Sequence, residues 1–265
     1  RGLGDVYKRQ VYPTPDGFGF QQENNNTLNA SGQSYVYMAI RRATKEPTLG
    51  TDVFSIDTQN STAPYFDSNH IVDMALVRPM GSGGSGGGGA FNYARIIGER
   101  YLKTSGTNAE ASASEAGFDF MNGHIDASWG GTNTHSYMWK RSTGWFDVTT
   151  HKGTGSAKTV PHNLQKVPEM MWIKRRDATD NWCVFHKDVG ATKHLVLNGD
   201  FDANTSSTRW NDTAPTASVF TVGTDAEVNG SGGHYVGYHF ATVNGVSKVG
   251  SVSYTHLTLP TNRCV

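Results

Sequence analysis

The 265 residues include 31 Gly and 11% aromatic but only 17% charged side chains, a composition that favours many short strands joined by turns over packed helices. Basic and acidic side chains number 23 each, so the formal charge is zero, and with no basic cluster interleaved with aromatics nothing draws a nucleic-acid backbone. No apolar run reaches the roughly 18 residues of a membrane span and no leader-like segment opens the chain, so a soluble protein away from membranes is expected.

The extreme ends stand apart. "RGLGDVYKRQ" at residues 1–10 and "VSYTHLTLPT" at Val252 to Thr261 resemble the two opposing adapters of a transposase-type sequencing library, translated in frame. Segments 1–10 and 252–265 are therefore set aside as adapter-like artefact, which marks the interior as a fragment cut at both edges. Of the two cysteines, Cys264 goes with them. Cys183, in "NWCVFHKD", is then a small apolar core residue, and no disulfide framework is expected.

Residues 11–60 read as the C-terminal part of a truncated first repeat. They contain "GFGF" from Gly17 and "NASGQSYVYMAIRR" from Asn29, where period-two alternation points Val36, Met38 and Ile40 inward. Residues 61–144 read as a divergent middle copy. It begins near "IVDMALVR" from Ile71 and passes through a Gly/Ser run at residues 80–90, taken as a long loop in preference to an inter-domain linker. "RYLKTSGTNAEAS" from Arg100, "GFDF" from Gly117 and "GTNTHSYMWKRS" from Gly131 follow. The stretch from Asn108 to Ala116 is the best helical candidate, amounting to a turn or two.

Residues 145–251 read as the last copy. "VPEMMWIKRR" from Val167 answers "IVDMALVR", "KHLVLNGDFDANTSS" from Lys193 answers "RYLKTSGTNAEAS", and "VFTV" from Val219 answers "GFDF". "NGSGGHYVGYHFA" from Asn229 completes a series in which Tyr35, Tyr137 and Tyr235 recur at intervals of about 100 residues. Its alternation puts Val236, Tyr238 and Phe240 on one face, and Leu195 with Leu197 alternates against His194, Val196 and Asn198. Half-buried alternating strands without crossover helices predict an all-β protein of tandem antiparallel β-sandwich repeats, jelly-roll or lectin-like, each of about 100 residues.

The chemistry-bearing residues form no recognised catalytic pattern. None of the ten histidines makes HExxH or a Cys/His cluster, and His162 in "VPHNLQKVPEM" reads as a turn residue in preference to a catalytic base. Asp177 with Asp180, and Asp200 with Asp202, lack the ligand pattern of a calcium loop and read as solvated turn aspartates. No GxSxG elbow is present and the Gly-rich run lacks a Lys-Ser/Thr ending, so neither a hydrolase nor an NTPase is indicated; no cofactor and no metal site are expected. Trp172 and Trp182 lie inside apparent strands and are expected in the core. Trp129, Tyr137 and Trp210 lie near polar loops. Trp210, flanked by Arg209, Asn211 and Asp212, has the side-chain composition of a shallow glycan site and is the glycan-binding candidate, although core or rim packing is the favoured placement of the ring.

The string from "GWFDVTTHKGTGSAKTVPHNLQKVPEMMWIKRRDATDNWCVFHKD" through "PTASVFTVG", "NGSGGHYVGYHFA" and "NGVSKVGS" resembles a repeated domain of uncharacterised function in tail-fibre and other virion surface proteins of marine tailed bacteriophages. The resemblance covers Trp145 to Ser251 closely, and "YVYMAIRRATKEP" is similar to a companion segment of those proteins. It implies a non-catalytic structural or adhesive component located in the virion. Its implied partners are other virion proteins, a host surface glycan or receptor, and further copies of itself, as a trimer. A carbohydrate-binding module of a carbohydrate-active enzyme is the alternative, and a pure shaft spacer is a third. The loop from Asn198 to Thr213 is where a binding tip would sit.

Overall fold

The computed structural model of the chain describes residues 11–14, 17–20, 45–80, 89–113, 116–126 and 133–251. Segments 1–10 and 252–265, the stretch with Val36, Met38 and Ile40 for which a strand is expected, most of the Gly/Ser run, and Trp129 lie outside the described residues.

Strands β1 (Val11–Thr14) and β2 (Gly17–Phe20) pair as a hairpin. The next group is β3 (Phe54–Thr58), β4 (Phe66–Asp67), β5 (Met74–Pro79), β6 (Phe91–Ala94), β7 (Arg100–Lys103), β8 (Ala111–Ser112), β9 (Ala116–Gly117), β10 (Gly123–Asp126) and β11 (Thr134–Trp139). The last group is β12 (Phe146–Lys152), β13 (Lys158–Pro161), β14 (Met170–Arg175), β15 (Trp182–His186), β16 (Lys193–Val196), β17 (Asn204–Thr205), β18 (Val219–Val222) and β19 (His234–Phe240). Single helical turns α1 (Ser207–Trp210) and α2 (Ala226–Asn229) flank β18. Among the described residues every pairing is antiparallel, and the fold is all-β and of sandwich type.

The two large sheets repeat one another. Each has six strands, in the orders β3-β11-β5-β6-β7-β8 and β12-β19-β14-β15-β16-β17. The registers agree as well as the orders. Met74 opposes Trp139 on one side and Ala94 on the other, while Met170 opposes Phe240 and His186 in the same places. Beside each large sheet lies a small one, β4-β10-β9 and β13-β18 respectively. Strand β3, which precedes residue 60, belongs by pairing to the sheet of the middle copy.

The equivalences carry two of the sequence matches through: "IVDMALVR" and "VPEMMWIKRR" become β5 and β14, and "RYLK" and "KHLV" become β7 and β16. Two landmarks are corrected. Tyr137 opposes Leu76 as Tyr238 opposes Trp172, so its counterpart is Tyr238 and not Tyr235. A slip by an odd number of residues sends a side chain to the opposite face, and Tyr235 accordingly points away from the face that Tyr238 occupies. By the same logic "VFTV" in β18 pairs with β13 as "GHID" in β10 pairs with β4, so the counterpart of "VFTV" is not "GFDF". The Asn108 to Ala116 stretch forms no helix in its described part and supplies the edge strand β8.

Alternation distributes the apolar side chains over three cores. One, with Phe66, Ala75, Val77, Phe91 and Met138, fills the space between the middle-copy large sheet and its small sheet. Another, with Val160, Met171, Ile173, Cys183 and Phe220, does the same for the last copy. Between them lies a shared core in which Met74, Ala94, Ile97 and Leu102 of one large sheet meet Phe146, Val148, Val236 and Tyr238 of the other. The order of layers is therefore small sheet, large sheet, large sheet, small sheet. The face of Val236, Tyr238 and Phe240 read from the sequence is the face that meets the neighbouring copy.

The seam also carries polar bonds. Trp182 Nε1 donates to the Lys103 carbonyl at 2.9 Å, Glu110 N donates to the Arg176 carbonyl at 2.8 Å, and the Arg176 guanidinium pairs with Glu110 at 2.7 Å. The Lys174 ammonium, wholly buried, donates to the Thr107 carbonyl at 3.2 Å and to the Arg175 carbonyl at 2.8 Å. Burial lowers its pKa to about 8, with Asp180 and Glu227 opposing. Thr107 and Glu110 lie on the loop between β7 and β8, which clasps the last copy.

Candidate functional site

The corresponding loop of the last copy, between β16 and β17, has no such partner among the described residues. Leu197 is 37% exposed and Phe201 62% exposed, while of the alternating residues around Leu195 and Leu197 it is His194 that is buried. At Gly199 an added Cβ would fall 2.6 Å from the Phe201 ring, so the aromatic lies close over the glycine of the turn. Asp200 and Asp202 flank the ring and are exposed.

The base of this loop is rigid. Asn198 Oδ1 accepts from Trp182 N at 2.8 Å, and Asn198 Nδ2 donates to Asn181 Oδ1 at 2.9 Å. Asn181 Nδ2 in turn donates to Glu227 Oε1 at 2.9 Å. Glu227 and Asp225 both hold the Arg209 guanidinium, at 2.8 Å for Glu227. Asp225 is also the N-cap of α2, accepting from Glu227 N at 2.9 Å.

These contacts separate the four residues grouped around Trp210. The indole is 1% exposed and packs edge-on against Phe185 at 5.9 Å between centroids, inside the last-copy core. A ring buried to that extent offers no face to a sugar, so Trp210 is a core residue and not the stacking platform of a glycan site. Arg209 is turned inward to its two carboxylates. Asn211 and Asp212 alone stay on the surface, both in left-handed backbone conformation, with φ 51° and 48°. They close the helical turn, a role that Asn and Asp tolerate well.

The remaining candidates serve structure. Asp177 and Asp180 are both bound to Arg175, at 3.0 and 3.4 Å. His162 Nε2 lies 3.1 Å from the Thr216 carbonyl while its Nδ1 accepts from Leu164 N, which fixes the turn before β14. His162 also stacks on His239 at 5.4 Å, and His239 Nε2 lies 2.9 Å from Thr149 Oγ1. Burial holds the pKa of His239 well below its usual value, and brings that of His151, stacked on Tyr235, down to about 4. Cys183 is fully buried, and desolvation pushes its thiol far up, away from thiolate chemistry. Trp182 is core as expected, and Trp172 is half-buried at the seam. Among the described residues no group of three or more metal-ligating side chains occurs, and no helix is long and apolar enough to cross a membrane.

What the arrangement offers chemically is therefore an aromatic ring and two carboxylates held out on a braced loop. The sequence pointed to the segment from Asn198 to Thr213 and missed Phe201. Its signal was the exposed-turn pattern "LNGDFDAN", an aromatic between two acids after Gly.

Residues 127–256 match the model of a family described as a domain of unknown function, DUF7483. The match takes in β11 of the middle-copy sheet together with the whole last-copy sheet. No curated protein and no solved structure matches the chain.

Proposed function

We propose that the chain is a non-catalytic structural or adhesive component of a phage virion, of the tail-fibre or receptor-binding type. The observation that carries this reading is the duplication: one large-sheet module occurs twice with the same strand order, and the copies are fused through a common core. Stacked modules of this kind make a stiff element whose length grows with copy number, as in other solenoid-like proteins. Several buried titratable groups support the same reading: His124, His151, His239 and Cys183 are held in their neutral forms by burial, and Lys174, lowered to about 8, is engaged by the Thr107 and Arg175 carbonyls at the seam. A catalytic centre would instead hold its acids and bases near the working pH in a cleft.

The adhesive part of the reading rests on the loop bearing Phe201, where weak contacts to a host surface glycan or receptor would be multiplied by display in several copies. The resemblance to marine phage fibre proteins supplies the location, and trimeric display alongside other virion proteins is the corresponding arrangement.

The test is immunogold labelling of a purified marine tailed-phage fraction with antibodies raised against the full chain. Gold on tails or fibres is expected. Labelling confined to cell debris, with virions bare, contradicts the proposal.

A further inference from the structure

The two large sheets use different halves of the same face to meet each other. The middle copy contributes mainly its β6-β7 side, with Met74 of β5 and the clasp loop that follows, whereas the last copy contributes mainly its β12-β19-β14 side, with Trp182 of β15. Such a contact is head-to-tail: the surface given by one copy is not the surface given by the other, and a contact of this type does not close as a two-fold dimer.

Its consequence is legible in the exposures. On the receiving half, Val148 is 1% exposed in the last copy, while its counterpart Ile56 in the middle copy is 56% exposed. Phe146 and Tyr238 are buried, while their counterparts Phe54 and Tyr137 are only half-buried. On the giving half the situation reverses. Leu102 is wholly buried in the seam, while its counterpart Leu195 is half-buried. The clasp loop of the middle copy is engaged through Thr107 and Glu110, while the loop of equal length in the last copy is open at Phe201.

We infer that a second copy of this chain docks its Ile56 side onto the Phe201 side of the first, repeating between chains the contact that already joins the two sheets within one. Charge favours the pairing. Arg78, exposed on the receiving half, stands where the last copy has Lys174, and Lys174 is the residue that reaches the clasp loop at Thr107. The open clasp loop carries Asp200 and Asp202, the acids that such a cation would meet. The C-terminal segment packs Val249 on the rim of the shared core and bonds Ser251 to Asp188 at 3.0 Å, alongside the end of β15. The product is a ring of three or more copies or an open series, not a closed dimer.

The experiment is sedimentation of the full chain over a range of concentrations, with Ile56→Asp and Phe201→Asp variants alone and mixed. Both side chains are more than half exposed, so the variants keep the fold, as thermal unfolding will verify. Wild-type chain is expected to form species beyond the dimer as concentration rises. Each variant alone is expected to be monomeric, because one end of every encounter is blocked. Their equimolar mixture is expected to form one-to-one pairs that grow no further, since each supplies the half the other lacks. Arg78→Glu is a second blocking variant, expected to recover association when mixed with chain carrying Asp200→Lys and Asp202→Lys.

A wild-type chain that stays monomeric up to about 1 mM, the weak end of specific association, overturns the inference. So does a dimer that does not grow, or a mixture that stays monomeric while the wild type associates. These readouts do not depend on the virion labelling, so the two proposals fail separately.

Discussion

Tyr238 Oη donates to Asn92 Oδ1 across the seam between the two large sheets, with both side chains fully buried. Asn92 occupies the position that Val184 fills in the last copy, so an amide stands where the repeat elsewhere has an isopropyl group. Tyr238→Phe leaves the Asn92 oxygen without its donor and is expected to cost about 1–3 kcal/mol. Adding Asn92→Val to that variant is expected to recover most of the loss, because both polar groups are then gone. Urea unfolding of the two single variants and the double variant checks this; strictly additive losses contradict it.

Acid sensitivity follows from the buried imidazoles. His124 and His151 are lowered from 6.5 to about 4, in each case first by desolvation and with a backbone carbonyl pulling the other way. The unfolded chain binds protons on these groups before the folded chain does. Their stabilising effect is therefore complete above about pH 6.5 and is lost as pH falls from there through about 4, on the order of 2–3 kcal/mol apiece. Asp73, whose carboxyl is raised by burial, works in the opposite sense. Urea midpoints are expected to be level between pH 7 and 8 and to fall steadily between pH 6.5 and 4.5; an unchanged midpoint at pH 4.5 contradicts the prediction.

Gly237 makes room for a hydrogen bond. A Cβ there would lie 3.0 Å from Thr149 Oγ1 and 3.1 Å from His239 Nε2, the two atoms that pair at 2.9 Å. In the middle copy the same position is Ser136, whose Oγ instead lies 2.8 Å from His124 Nε2. An alanine in a strand ordinarily gains on glycine, yet here Gly237→Ala is expected to destabilise by about 1–3 kcal/mol through overpacking. A raised melting temperature contradicts this.

Trp210→Ala is expected to cost about 3–5 kcal/mol, the price of emptying a core site of a large aromatic. The replacement Phe201→Ala is expected to leave the melting temperature within a degree or two of wild type, since exposed substitutions stay within about 0.5 kcal/mol. Scanning fluorimetry of both separates the buried aromatic from the displayed one, and a silent Trp210→Ala with a damaging Phe201→Ala contradicts the placement of the loop.

Much of the sheet architecture was legible because strand residues alternate. Met74 with Met170 and Arg100 with Lys193 could be matched by eye, since each sits at the start of an alternating strand in both copies. The tyrosines misled because β19 contains two, Tyr235 and Tyr238, on opposite faces. Alternation likewise shows that Val236, Tyr238 and Phe240 are buried without saying what covers them, so the shared core was hidden. Alternation could not decide between glycan site and core for Trp210, because "STRW" is a single helical turn, which swings the ring inward past polar neighbours in a way no period-two pattern reveals.

The claim on which the rest depends is that the two copies form one stiff body through the shared core. Native-state hydrogen exchange of the wild type and of Leu102→Ala tests it most directly, because Leu102 is wholly buried at the seam and belongs to the middle copy. The account predicts that β5 and β14 amides open with the same free energy in the wild type, and that Leu102→Ala lowers both together by about 2–5 kcal/mol. Protection of β14 and β19 that stays unchanged while β5 and β6 lose theirs would contradict it, and would make the copies independent domains that merely touch.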